Sequence, residues 1–194
     1  MGRGQPNIIV TGTPGVGKTS HCELLAQNSG LQHLSINQVV KERSCHDGWD
    51  EEFKSWMVDE DKVSTRANPA SFKANIKSPQ LLDAMEDEIP QGGYIIDWHA
   101  CDLFPKRWID LVVVLRTDST KLYDRLQARN YPESKLQENL DSEIMEVLLE
   151  EARESYNDEI VVELQSNDAD DIESNVERIM IWIQDWKKSN KEHD

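Results

Sequence analysis

From Thr11 to Ser20 the chain reads TGTPGVGKTS. Gly12 to Thr19 fit the pattern G-x-x-x-x-G-K-[ST], a loop that cradles phosphate. Glycine there lets backbone N–H groups turn inward and approach phosphate oxygens closely. A helix beginning at Lys18 adds the partial positive charge of its N-terminus. Gly12, Pro14, Gly15, Val16, Gly17, Lys18, Thr19 and Ser20 are therefore the expected nucleotide contacts. Lys18 reaches the β- and γ-phosphates as a mobile point charge, and the Thr19 hydroxyl serves Mg²⁺.

A second acid belongs beside such a loop. Asp97 closes the apolar run Tyr94-Ile95-Ile96. A carboxylate at a strand's carboxyl end is where a Mg²⁺-shell acid sits; the alternative is an aspartate capping the next turn. His99, two residues on, could orient or deprotonate a water or substrate group, or be a hydrogen-bonded structural histidine. Arginine forks stabilise the charge spread over a transferring phosphoryl group. Arg125 and Arg129 lie one helical turn apart and share a face. Arg116 at a strand end and Arg107 read equally well as surface charge.

These residues need a scaffold. Residues 7–11, 32–36, 94–98, 110–115 and 159–164 read as five strands, the first followed by a helix over 18–28 that Gly30 stops. Further helices are expected from Asn37 as N-cap to about Ser44, over 81–89, from Asp118 to about Arg129, over 133–156 in one piece, and over 171–188. HDGWDEE at 46–52 reads as a turn. The stripes Leu136, Leu140, Ile144, Val147, Leu148 and Ile172, Val176, Ile179, Ile183, Trp186 are core by default. Strands alternating with helices predict an α/β fold: a five-stranded parallel sheet, helices on both faces, ligands at the strands' carboxyl ends.

The 194 residues suit one domain. The formal charge of −16 opposes binding to nucleic acid or anionic lipid and suits small ligands or a basic protein partner. Cys22, Cys45 and Cys101 form no CxxC pair, and the five histidines lack ligand-like spacing, so free thiols in a reducing compartment and no zinc site are expected. No apolar run approaches the ~20 residues of a membrane span.

GTPGVGKT, HDGWDEEF, VDEDK, GGYIIDWHACDLFPKRW, LRTD, YDRLQARNY, EEARESY and a late SN together resemble the adenylate kinase 6 family over nearly the whole chain, residues 63–80 excepted. The resemblance implies an adenylate-kinase-like P-loop NTPase fold with an AMP-binding region at about 37–62 and a short lid at about 129–140. It implies ATP + AMP ⇌ 2 ADP with Mg²⁺, together with ATP hydrolysis. It implies an aspartate–x–histidine pair at Asp97 and His99, Arg125 and Arg129 at the lid hinge, and Ser166-Asn167 near the adenine. It implies a monomer, found in nucleus and cytoplasm, that acts in small ribosomal subunit maturation with a basic ribosomal protein. Two positions depart from the pattern. Lys41 stands where the family's arginine aligns, keeping the charge for AMP but losing the bidentate fork. Ala100 follows the histidine where glycine is usual.

Residues 63–80 (VSTRANPASFKANIKSPQ) interrupt what would otherwise be one acidic amphipathic segment. They hold three basic residues (Arg66, Lys73, Lys77) and no acid, in a chain with 37 acids. Val-Ser and Gln at the two ends can be encoded by GTGAGT and CAG, the ends of an intron. Translated intron and an inserted loop are the two readings; cDNA that mostly retains these codons would sink the first.

Three functions compete: a nucleoside monophosphate kinase that needs an acceptor nucleotide, an assembly NTPase stimulated by a partner, and a binding module with a vestigial nucleotide site. Lys18, Thr19 and Asp97, all intact, oppose the last.

Overall fold

Short runs rich in isoleucine and valine have too few polar side chains to face water on either side, so they are buried as central strands. The computed structural model describes residues 3–42, 48–50, 55–57, 82–83 and 85–191. Its strands are β1 (Ile8–Thr11), β2 (Gln32–Ser35), β3 (Gly48–Asp50), β4 (Ser55–Met57), β5 (Tyr94–Asp97), β6 (Leu111–Arg116) and β7 (Val161–Gln165). Its α-helices are α1 (Lys18–Ser29), α2 (Ile36–Glu42), α3 (Ser119–Ala128), α4 (Glu133–Ile144), α5 (Val147–Ser155) and α6 (Ala169–Lys191).

Five strands form one parallel sheet in the order β2-β5-β1-β6-β7. Strand alternation splits the core in two. Ile9, Ile96, Val112 and Val114 face one layer, with Leu149 and Ala152 of α5 and Val39 of α2. Ile8, Val10, Ile95, Val113 and Leu115 face the other, with α1, α3, α4 and α6. Each fully buried aliphatic side chain contributes about 1.5–3 kcal/mol. The expected five-stranded parallel sheet with helices on both faces is present.

One residue fastens the amino ends of three strands. The Asn7 side chain donates to Ile89 O (2.6 Å) and Trp108 O (2.8 Å) and accepts from Tyr94 N (3.0 Å). Its main-chain N–H donates to the Asp110 carboxylate at 2.8 Å. The starts of β1, β5 and β6 are thereby held in register.

Several elements differ from expectation. The helix read over 133–156 is broken at Met145 and Glu146. Glu146 has φ 57°, and Arg116 draws the break inward by donating to Glu143 O at 2.8 Å and pairing with Glu146 at 3.1 Å. Ile144, assigned to the core stripe, is 61% exposed as a result. Asn37 does not cap α2, because the helix already begins at Ile36, directly after β2. Within the expected turn at 46–52, Gly48–Asp50 pair antiparallel with Ser55–Met57. Helix α6 is longer at both ends than 171–188. The insertion at 63–80, Cys45, the Lys41 side chain and most of the AMP-binding region lie outside the described residues.

Candidate active site

The parallel register brings Thr11, Ser35, Asp97, Arg116 and Gln165 to one edge of the sheet. The phosphate loop leaves β1 at this edge. Gly12 has φ 137°, and a Cβ there would lie 2.5 Å from Leu115 O, so only glycine lets the loop leave the sheet. Gly17, at φ 97°, opens α1.

Thr19 is in the first turn of α1, and its hydroxyl donates to Asp97 Oδ2 at 2.7 Å. Asp97 is buried. The pair offers two hard oxygen ligands side by side, the donor chemistry that Mg²⁺ takes with nucleotide phosphates. The Lys18 ammonium donates to Gly12 O (2.6 Å) and Thr13 O (3.1 Å), which aims it into the loop. Burial lowers its pKa to about 8, against the attraction of Asp97 and with the repulsion of Arg129. Arg129, which follows α3, is therefore close enough for its charge to act on Lys18.

His99 follows β5. Its main-chain oxygen accepts from the Thr11 hydroxyl at 3.0 Å, and its ring lies 4.0 Å from that of Trp98. Desolvation, then the charges of Lys18 and Lys135, hold its pKa down to about 3. The imidazole is thus neutral near pH 7. A group with so low a pKa orients a water or hydroxyl well and is a weak proton acceptor.

Arg125 does not point out from α3 into the cleft unencumbered. Its guanidinium donates to Gly15 O (3.3 Å), Thr117 Oγ1 (3.3 Å), Ser166 O (3.0 Å) and Asn167 O (2.8 Å). It ties the phosphate loop to the loop after β7. The Asn167 side chain accepts from Asp118 N at 2.9 Å, and Ser166 Oγ donates to Val16 O at 2.5 Å. Lys18, Thr19, Asp97, His99, Arg125, Arg129 and Asn167 are gathered at one edge. Arg116 belongs to an ion cluster with Glu143, Glu146 and Glu163. Arg107 stacks on Trp108, 6.0 Å from the ring centroid.

Two supporting residues escaped sequence reasoning. Glu143 is buried and accepts from Thr13 Oγ1, Arg116 Nε and Thr117 N. Its helical spacing marks it only as one more charge on α4. His21 is wholly buried, with Nδ1 2.9 Å from Gly17 O and Nε2 3.2 Å from Asn175 Nδ2. Burial lowers its pKa. The network fits a neutral ring that donates through Nδ1 and accepts at Nε2. No local signal in the sequence separates His21 from an exposed residue of α1.

Comparison with known proteins agrees with this geometry. A family model described as an AAA domain matches residues 8–146. "Adenylate kinase isoenzyme 6 homolog" of Dictyostelium discoideum is 47% identical over 97% of this chain and 97% of its own length. The protein of the same name from Schizosaccharomyces pombe is 48% identical, over 95% of each chain. Among solved structures, shikimate kinase from Bacteroides thetaiotaomicron superposes with TM-score 0.56 over 93% of this chain and 99% of its own, at 15% identity, a likeness of fold alone. With that fold, a phosphate loop at the sheet's carboxyl edge and such close relatives, the chain belongs to the adenylate kinase isoenzyme 6 family of P-loop nucleotide kinases and ATPases.

Proposed function

We propose that the chain transfers the γ-phosphoryl group of Mg-ATP to AMP, giving two ADP, and also hydrolyses ATP slowly. The observation that carries this reading is the 2.7 Å contact between Thr19 and Asp97 beside the Lys18 ammonium. Thr19 and Asp97 would hold Mg²⁺, which would supply positive charge to offset that of the nucleotide phosphates. The N–H groups of the loop and of the first turn of α1 hold the β-phosphate, and Lys18 neutralises the oxygens between β and γ. Arg129 meets the charge that develops on the transferring group. Arg125 fixes the loop against Ser166 and Asn167, which border the adenine. Lys41 takes the acceptor's phosphate, and His99 orients the attacking oxygen.

The resemblance to the adenylate kinase 6 family supports a role in small ribosomal subunit maturation, in nucleus and cytoplasm, with a basic ribosomal protein as partner, and the −16 charge is compatible with that partner. Among the described residues no helix is long and apolar enough to cross a membrane. We take the working form to be a monomer. The neutral His99 also suits a partner-stimulated ATPase with little AMP kinase activity, since it can hold a water as readily as an acceptor oxygen.

Purified protein is incubated with Mg-ATP, with and without AMP, and all products are quantified by chromatography, with Lys18→Ala as blank. Two ADP for each AMP consumed, with little phosphate, supports the kinase. ADP and phosphate formed at the same rate with or without AMP overturns it in favour of the ATPase.

A further inference from the structure

Behind the phosphate loop, on the side away from β6, three side chains from three elements converge. They are Cys22 on α1, His33 on β2 and Asp97 at the end of β5. One ligand atom from each lies within 4.8 Å of the other two. His33 Nε2 and Asp97 Oδ2 are 3.6 Å apart. That is beyond a hydrogen bond, and it is near the edge length of a tetrahedron built on metal–ligand bonds of about 2.0–2.3 Å. Cys22 is a free, wholly buried thiol. His33 Nε2 is itself buried and has no hydrogen-bond partner. Native folds seldom leave a buried ring nitrogen unbonded, because the lost hydration is not regained.

A thiol, an imidazole and a carboxylate are not a magnesium set, which would be oxygen alone. Mixed S, N and O donors on a small tetrahedron are the preference of Zn²⁺, and three protein ligands leave its fourth position open to water or an anion. Neither Cys22 nor His33 has a part in the phosphoryl transfer described above. They come together because β2 lies beside β5 in the sheet, with His33 paired to Ile95 and Ser35 to Asp97, while α1 packs across both strands.

We propose that Cys22, His33 and Asp97 form a three-ligand site for a thiophilic divalent cation, Zn²⁺ by its chemistry. On binding, the Cys22 thiol releases its proton to solvent as the sulfur–metal bond forms, and no electrons are transferred. Asp97 cannot serve this cation and the Thr19 pair equally, so its occupancy opposes Mg-nucleotide binding. That consequence rests on the reading of Asp97 as a Mg²⁺-shell residue, whereas the cation site itself does not.

The test uses the full-length, reduced, metal-stripped chain carrying Cys45→Ser, with Co²⁺ as the optical probe. One equivalent is expected to give a near-ultraviolet thiolate-to-cobalt band and visible bands of a tetrahedral ion, both erased by Zn²⁺. Cys22→Ser abolishes the near-ultraviolet band, and His33→Phe weakens Co²⁺ binding by about tenfold or more. If Cys22→Ser fails to fold by far-ultraviolet circular dichroism, His33→Phe decides alone. No near-ultraviolet band in the Cys45→Ser chain, or a band that His33→Phe leaves at full affinity, overturns the proposal. A protein that binds Co²⁺ as described but does not phosphorylate AMP keeps this site and loses only the kinase reading.

Discussion

The Thr13 hydroxyl donates to the Glu143 carboxylate at 2.5 Å, across 130 residues of sequence. The same carboxylate accepts from Arg116 Nε at 2.8 Å and Thr117 N at 3.0 Å. It therefore joins the phosphate loop, the end of β6 and helix α4 in one buried knot. Removing Glu143 leaves the Thr13 hydroxyl and Thr117 N–H without their acceptor, at about 1–3 kcal/mol for each buried group left unsatisfied, while Arg116 keeps Glu146 and Glu163. Glu143→Ala should lower the unfolding free energy obtained from urea titration by that order, whereas Thr13→Val should cost about 1 kcal/mol, having lost a single hydrogen bond. Equal losses in the two variants would show that Glu143 does not organise the cluster.

The Lys18 amine, lowered from 10.5 to about 8, sets a pH dependence. Between those values the unfolded chain binds more protons than the folded one, so stability rises with pH across that window. Below about pH 8 the folded state carries the full burden of a buried cation. Urea unfolding of wild type and Lys18→Met at the two ends of the window should show wild type gaining on the variant as pH rises. ATP affinity should move the other way, weakening above about pH 8 in wild type as Lys18 loses its charge, and staying flat in Lys18→Met.

Arg125 and Arg129 share a helical face but should fail differently when altered. Arg125 makes four hydrogen bonds that close the loop after β7 over the phosphate loop. Arg125→Ala should cost about 1–3 kcal/mol of stability and raise KM for ATP. Arg129 acts on Lys18 through charge. Arg129→Ala should leave Tm within a few degrees of wild type and lower kcat by about 100-fold. Thermal unfolding beside steady-state kinetics separates the two outcomes.

Glu146 holds a left-handed backbone between α4 and α5. Glu146→Val places a β-branched residue there and should destabilise by about 1–2 kcal/mol. Glu146→Gly should be close to neutral, since it relieves the backbone while losing a half-exposed ion pair with Arg116. A valine variant as stable as the glycine variant would mean that the kink is held by other contacts.

Strands β1, β5 and β6 were legible because each is a short, mostly aliphatic run, and the phosphate loop because its glycines and Lys18 recur at a spacing set by phosphate geometry. Asp97 was legible from its place after Ile96. The break at Glu146 was not, because it depends on Arg116 reaching in from a strand 27 residues from Glu143. A helical pattern that continues through a kink looks the same as one that does not. Arg125 looked like a cleft arginine, and only the fold reveals that main-chain oxygens of a distant loop take up its donors. His33 carried no signal at all, because its neighbours Cys22 and Asp97 meet it only through the pairing of β2 with β5.

The Asn7 clasp has a bearing on how this chain can change in length. Asn7 sets the start of β5 directly, through its bond to Tyr94 N, and holds the turn just before it through Ile89 O. The register of β5 against β1 is thus set by contacts from Ile89 onward and from Asn7, not by the length of chain between β4 and Ile89. Closing a longer loop costs only about 0.6 kcal/mol for each doubling. A change in chain length between β4 and Ile89 should therefore leave in place the sheet edge that carries Asp97.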